Sequence, residues 1–509
     1  MSFKTQALKN VGSNWLGAAV TVAVGFLLSP FILHRLGDEA FGLWVLIFSI
    51  TGYYGIFDFG IRSSIVKYLA EFEVTGAREQ LARVVNVSIL SYGCVALALL
   101  AVTGVCSLYV DSLFHVPAGF LRSARLLVLV AGSAVAAGFP LSVFAGILEG
   151  RQEFPFINLT QVVATLLRAL LIVLALAHGL GLVTIVAITV LLPVLSYVAY
   201  ALRVMRVMPL PFGARYVDRA TFRRIVHYSS SSFVSQLAFR LRFQSDALII
   251  GAMLSASAIT YFSIGSKLLN YSFIPLAGLG QIFTPLSSRL DAAGDRVRLH
   301  KLFVEGNRAC ALVVFPVSAF LLVLGKSLIN VWVGSRYESS YVILVILLIP
   351  SILSDIQAGS RQILYGLGRH RALAIVNVVE AVVNVVLSIA LIRYWGIVGD
   401  ALGTAIPLGC SAIFFLPLYL CRLLGMRLTD FLKGAYLLPL ALSAPLLAVL
   451  MILHHLFRPH NLMGLAAQVA AGGAVYGLGL LWLFLMREPL GAAWRTRFRE
   501  YVHQAFSRP

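Results

Sequence analysis

This sequence predicts an all-α polytopic membrane protein of about fourteen transmembrane helices, in two pseudo-symmetric six-helix lobes plus two extra C-terminal helices. Three observations predict it. The chain has 509 residues, 60% hydrophobic and only 12% charged, about half the charged fraction of roughly 25% that coats a soluble domain. Its apolar residues come in runs of about twenty, the length that crosses a hydrocarbon layer of ~30 Å. Its cations lie almost entirely between those runs.

The runs fall near 13–34, 41–61, 84–108, 123–147, 156–178, 181–203, 225–253, 257–285, 308–330, 341–364, 372–394, 397–421, 434–457 and 463–486. Lys4 and Lys9 precede the first one, Trp15 to Leu33. That run is too long for a signal-peptide core and no small-residue cleavage site follows, so it reads as an uncleaved first span. No polar connection, that at 204–224 included, leaves room for a soluble domain.

Orientation follows from the basic residues. With a cytoplasmic N-terminus, 29 Lys and Arg fall on inner segments and seven on outer ones, with Arg168, Arg240, Arg242 and Lys267 inside spans. This asymmetry predicts two cytoplasmic termini and an even span count. It also accounts for the net charge of +19 without a nucleic-acid partner. The five cysteines form no CxxC pair and sit in or near apolar runs, which excludes a zinc site and a disulfide framework.

The chain resembles itself. Ile147-Leu148-Glu149-Gly150 matches Ile363-Leu364-Tyr365-Gly366 at a shift of 216, and Gly181-Leu182-Val183 meets Gly396-Ile397-Val398 at nearly the same shift. An even number of spans per unit makes the repeat parallel. The expected organisation is an N-terminal lobe 1–203, a cytoplasmic loop 204–224, a C-terminal lobe 225–421, two further spans 422–487 and a basic amphipathic tail 488–509. In the tail, Arg495, Arg497, Arg499 and Arg508 alternate with Trp494, Phe498, Tyr501 and Phe506, a pattern suited to the surface of an anionic leaflet. A solvated terminal tail is the bland alternative.

An ionised side chain at mid-span costs roughly 2.5–3.5 kcal/mol on insertion scales, so each needs a partner, water or a role. In the span from Ile225, residues Ser229, Ser232, Gln236, Arg240 and Gln244 share one face. Arg242 and Asp246 lie four apart on another face and can neutralise each other. Asn158, Gln161, Thr165 and Arg168 line one face of the fifth span, and Asn377, Glu380, Asn384 and Ser388 one face of the eleventh. The repeat brings Gln161 opposite Asn377 and Arg168 opposite Asn384, as expected for two walls of one cavity. The competing reading is amide glue between helices. Lys267 shares a face with Asn270 and Tyr271, and Asp58 and Arg62 are four apart at the inner end of the second span. The candidate substrate-binding set is therefore Arg240, Arg168, Lys267, Gln236, Gln161, Asn377 and Asn384. Glu380, Asp246 and Asp58 are candidates for ion coupling, because buried carboxylates titrate or bind ions.

Other sites are weaker. Gly325-Lys326-Ser327 ends like a phosphate-binding loop, but Phe320 stands where the first glycine belongs, so the chain carries no ATPase motif. His454, His455 and His460 cluster in an outer loop, where an interfacial loop is a simpler reading than a metal site. No cofactor or metal is expected.

The stretches Pro30-Phe31-Ile32-Leu33-His34-Arg35-Leu36-Gly37, Phe41-Gly42-Leu43-Trp44 and Asp58-Phe59-Gly60-Ile61 resemble the bacterial oligosaccharide flippases. These are the O-antigen and exopolysaccharide translocases of the multidrug/oligosaccharidyl-lipid/polysaccharide exporter superfamily. The resemblance implies a V-shaped pair of six-helix lobes. It also implies a protein of the bacterial inner membrane that moves an undecaprenyl-pyrophosphate-linked glycan from the inner to the outer leaflet. Its partners would be that lipid-linked glycan, membrane lipids and other polysaccharide-assembly proteins. Alternatives are a cation-coupled multidrug exporter or a peptidoglycan-precursor flippase of the same superfamily. A membrane glycan polymerase or ligase is more remote, since the outer loops are short.

Overall fold

The computed structural model describes residues 3–280 and 283–486, with side chains throughout except at 3–11, 70, 73–74, 118, 228–243, 275, 277–280, 370 and 484–486. The basic tail expected at 488–509 lies outside the described residues. Every regular element among the described residues is a helix. Among the described residues, ten helices are long and apolar enough to cross a membrane, or eleven if one bent pair counts as a single span.

By contact, the helices form two compact units, one made of Ala7–Ile264 with Ala374–Thr404 and the other of Gly265–Leu373 with the described chain from Ala405 onward. The first unit opens with α1 (Phe3–Leu36) and α2 (Asp38–Tyr53). Asp38 and Glu39 in the first turn of α2 complement the positive end of its dipole. A 3-10 turn, Tyr54–Asp58, follows, and the chain then swings through Phe59 (φ 48°) and Gly60 (φ 76°). That left-handed pair stops the second span and starts α3 (Ile61–Thr75), a helix where the sequence suggested only a loop. Its buried face is Ile61, Ile65, Tyr68, Leu69 and Phe72, spaced as an amphipathic helix requires.

Four long helices follow: α4 (Arg78–Leu113), α5 (Leu121–Gly150), α6 (Phe154–Ala177) and α7 (Leu182–Val207). In lipid, helices associate by close packing and interhelical hydrogen bonds rather than by leaving water, and small residues supply the approach. A Cβ added to Gly132 on α5 would collide with Thr103 of α4, whose hydroxyl hydrogen-bonds Tyr54 at 2.8 Å. A Cβ on Gly150 would fall 2.5 Å from Leu69 of α3. The 208–217 connection is strapped to α4 by Asn86, which donates to the Pro211 carbonyl at 3.0 Å and accepts from the Gly213 N–H at 3.0 Å. Then comes α8 (Arg219–Met253), capped by Asp218. The Asp218 carboxylate accepts the Thr221 N–H at 2.8 Å, which holds its pKa below the usual carboxylate value.

α9 (Ala256–Gly280) spans the boundary between the units. The second unit continues with α10 (Phe283–Ala292), α11 (Arg296–Trp332), α12 (Ser340–Asp355) and α13 (Ala358–Gly366). α12 and α13 meet at a 43° bend inside what the sequence presents as one apolar run. Side chains satisfy the broken backbone, as membrane helices demand. Gln357 donates to the carbonyls of Leu353 and Ala412, both at 2.8 Å. Buried Asn307 accepts the Ser360 N–H at 3.1 Å. A Cβ on Gly366 would run into Ser287 and Thr284 of α10, so Gly150 and Gly366, matched in the repeat, each sit against a short helix.

The run 371–424 holds 54 residues, about 80 Å of helix at 1.5 Å per residue. It cannot be one span. α14 (His370–Cys410) breaks at Gly396, with φ 56° and ψ −135°, a backbone that favours glycine. The arms fold back on each other. The Ser388 hydroxyl donates to the Asp400 carbonyl at 3.2 Å, and a Cβ on Gly403 would fall 2.5 Å from the Ser388 nitrogen. A π turn (Ser411–Phe415) leads to α15 (Leu416–Leu424). The last described elements are α16 (Leu428–Leu432), α17 (Leu438–Leu456) and α18 (Leu462–Met486). Phe303 stacks on Phe431 at 4.2 Å between ring centres, in the core where α11 meets the chain after α15.

Candidate functional site

A buried polar group in the first unit joins the C-terminal half of α8 to the two arms of α14. It begins and ends on adjacent residues of α8. The Ser245 hydroxyl donates to Asn384 Oδ1 at 3.3 Å, Asn384 Nδ2 donates to the Thr404 hydroxyl at 2.7 Å, and Thr404 donates to Asp246 Oδ1 at 3.0 Å. The i, i+4 spacing of Glu380, Asn384 and Ser388 turns all three inward, and all three are buried. Asp400, four residues past the Gly396 break, is wholly buried. Neither of its carboxylate oxygens has a hydrogen-bond donor among the described residues. Asp400 and Asp246 lie close enough to interact electrostatically, and Tyr53 at the end of α2 is within reach of Asp246.

Two acids this close, one of them wholly buried, cannot both hold a negative charge cheaply. Burying an ionised carboxylate without donors carries a large desolvation cost, and a like charge beside it adds to that. The donors are hydroxyls and amides, a hard oxygen-rich set suited to a proton or an alkali cation. No three His, Cys, Asp or Glu side chains gather as a metal-holding group among the described residues.

The other sequence candidates are placed as follows. Gln236, Arg240 and Arg242 lie among the side chains outside the described residues. Gln161 is exposed on α6 and Asn377 is half-buried on α14. Asn158, on the same face of α6 as Gln161, binds α1 by donating to Ser13 Oγ at 2.9 Å and Asn14 Oδ1 at 2.5 Å. Arg168 is half-buried on α6, in the unit that holds the acid pair, whereas half-buried Lys267 on α9 belongs to the other unit. Asp58 receives the Tyr92 hydroxyl. Arg62 forks onto Glu149, with Nε to Oε2 at 2.9 Å and Nη2 to Oε1 at 2.5 Å. Sequence reasoning missed Asp400, Thr404 and Ser245. The available signal was a carboxylate flanked by small residues, Gly399-Asp400-Ala401 and Gly403, just inside an apolar run.

Ten or more apolar helices of membrane-crossing length among the described residues define a multi-pass membrane protein. The chain belongs to the polysaccharide biosynthesis protein family, whose model matches residues 7–291, in the superfamily that the motifs of its first 75 residues resemble. A second family model, MatE, matches residues 232–390. The chain is 24% identical over 443 residues to the "Uncharacterized membrane protein EpsK" of Bacillus subtilis, covering 84% of this chain and 85% of that one. It is 22% identical over 424 residues to the "Putative O-antigen transporter" of Shigella flexneri, covering 81% and 97%. Its fold is similar to that of the solved structure "Lipid II flippase MurJ, inward closed conformation", with TM-score 0.72 at 15% identity, covering 93% of this chain and 99% of that one.

Proposed function

We propose that this protein flips an undecaprenyl-pyrophosphate-linked oligosaccharide from the inner to the outer leaflet of a bacterial inner membrane, supplying surface polysaccharide assembly. The glycan-related names of relatives aligned over most of the chain support the substrate class. The observation that supports transport, rather than catalysis at a membrane surface, is the acid pair of wholly buried Asp400 and half-buried Asp246 inside the helices. We assign it to coupling, with Glu380 beside it: a proton or sodium ion neutralises the pair, and its release or uptake biases alternating access of the two repeat lobes. Arg240, Arg168 and Lys267 are assigned to the pyrophosphate or acidic sugars of the head group, since cations in a low dielectric bind such anions well. Gln236, Gln161 and Asn377 supply polar wall, whereas Asn384, expected there from sequence, is buried in the hydrogen-bonded chain that leads to Asp246. No ATPase motif is needed in this scheme.

The topology proposed has fourteen spans. It divides 371–424 at Gly396, takes α12 with α13 as one broken span, and adds α8 and α9 to the remaining apolar helices. Both termini are then cytoplasmic, on the distribution of basic residues, and the lobes are 1–203 and 225–421.

Depletion of the protein in its own cells tests the reading. Surface polysaccharide is expected to fall at least tenfold while the lipid-linked precursor accumulates, out of reach of enzymes added outside. Unchanged surface polysaccharide together with loss of cationic-dye export would replace this reading with drug export.

A further inference from the structure

Three arginines crowd the first turns of α8. Arg219, Arg223 and His227 follow one another at four-residue spacing, with Arg224 beside them, and all four are exposed. With Ala220 they line one open recess of about 760 Å³. No ion pair neutralises Arg219, Arg223 or Arg224 among the described residues. The nearest acid, Asp218, is occupied by the Thr221 N–H at 2.8 Å, by the Thr221 hydroxyl at 2.7 Å and by Arg83 at 3.9 Å. That same bond takes up a free N–H at the helix start, so the attraction on this surface comes from side chains. Like charges four residues apart repel each other weakly, and a bound anion relieves that repulsion.

The flank of this stripe is apolar. Phe222 is 48% exposed and Val226 47% exposed, on the same outward half of the helix. The opposite face is fixed: Ile225 is buried in a core cluster with Leu81 and Val204, and its carbonyl accepts the Ser64 hydroxyl at 3.4 Å. The helix is therefore held so that guanidinium groups and hydrocarbon-seeking side chains are presented side by side. Water favours the first and not the second. The boundary layer of an anionic leaflet favours both, with phosphate at one level and acyl carbon just beneath.

We infer that Arg219, Arg223 and Arg224, edged by Phe222 and Val226, form a docking site for the head group of an anionic phospholipid. The lipid contact stands on the exposed residues alone; its assignment to the cytoplasmic leaflet rests on the topology proposed above. The guanidinium groups take the phosphodiester oxygens, with the fork geometry that lysine lacks, and Phe222 and Val226 meet the upper acyl chains. Binding here anchors the start of α8, directly after the strapped 208–217 connection, to the membrane surface.

The test uses the full-length protein in detergent, exchanged against phosphatidylglycerol or phosphatidylcholine, with bound lipid measured by native mass spectrometry. The unaltered protein is expected to retain phosphatidylglycerol over phosphatidylcholine. The triple variant Arg219→Gln/Arg223→Gln/Arg224→Gln should lose at least threefold of the bound phosphatidylglycerol, and Phe222→Ser should lose part of it. A control triple, Arg289→Gln/Arg296→Gln/Arg369→Gln, should lose none. If the glutamine triple fails to fold, the triple lysine variant and the single Arg223→Gln carry the test, with intermediate retention expected for each. Retention by the glutamine triple equal to that of the unaltered protein overturns the proposal. So does equal loss in the control triple, which would mean general charge attraction. Complete displacement by inorganic phosphate also overturns it, by making this a free-anion site. No glycan is present in this measurement, so it can fail while the flippase reading stands, and the reverse.

Discussion

Replacement of Asp246 by asparagine is expected to leave the protein in the membrane at its normal level and to reduce glycan export at least tenfold. Asparagine keeps the shape of the side chain and an oxygen for the Thr404 hydroxyl, which donates to Asp246 at 3.0 Å. It removes the one property the proposed coupling needs, an oxygen pair that alternates between charged and neutral. A tenfold loss corresponds to ~1.4 kcal/mol in the rate-limiting step, about half of the roughly 2.5–3.5 kcal/mol that a mid-span charge costs. Asp400→Asn should act in the same direction. Because Asp400 is wholly buried beside Asp246, its amide should also relieve repulsion in the pair and raise thermal stability. Thr404→Val removes the donor to Asp246 and breaks the chain from Ser245 through Asn384, so it should lower export with Asp246 still present. Surface polysaccharide and membrane-fraction protein are measured together for each variant. Export by Asp246→Asn at the unaltered rate would remove the acid pair from the mechanism.

Arg62→Met is expected to destabilise the first unit by about 1–3 kcal/mol, between the cost of breaking a surface ion pair and a buried one. Its two forked bonds to Glu149, at 2.9 and 2.5 Å, tie α3 to the end of α5. Removal of Arg62 leaves Glu149 half-buried without its guanidinium. The second change, Glu149→Gln, should recover part of the loss, because it removes the stranded charge. Thermal unfolding in detergent measures the cycle of two single variants and the double. A double variant no more stable than Arg62→Met would mean that the pair is not coupled.

The sequence made some of this legible and hid the rest for physical reasons. The polar face Glu380-Asn384-Ser388 is visible because its i, i+4 spacing interrupts an apolar run, and all three residues are buried. Asp246 is visible as a mid-span acid. Its nearest sequence cation, Arg242, suggests a local pair, whereas its hydrogen-bond donor Thr404 lies 158 residues away. Spacing along one helix cannot reveal such a partner. Asp400 is hidden because it follows Gly396 by four residues, where an acid reads as part of the interface. Only the folded-back arms show that the residue is sealed. Short helices were also concealed. α3 shows its Ile61-Ile65-Leu69-Phe72 pattern over a length too brief for a span, among enough charges to pass for a loop. The bend between α12 and α13 falls at the inner end of the run 341–364, where Asp355, Gln357 and Arg361 interrupt the apolar sequence and Gln357 supplies donors to two carbonyls.

Leaflet location in purified vesicles tests the central claim most directly. Proteoliposomes holding the protein and an undecaprenyl-pyrophosphate-linked oligosaccharide are placed under an imposed proton or sodium gradient. An impermeant glycosidase then reads the fraction of glycan in the outer leaflet. The account predicts a gradient-dependent shift of that fraction well beyond protein-free vesicles, lost with Asp246→Asn. A fraction equal to that of protein-free vesicles under every gradient, or one unchanged by Asp246→Asn, would contradict it.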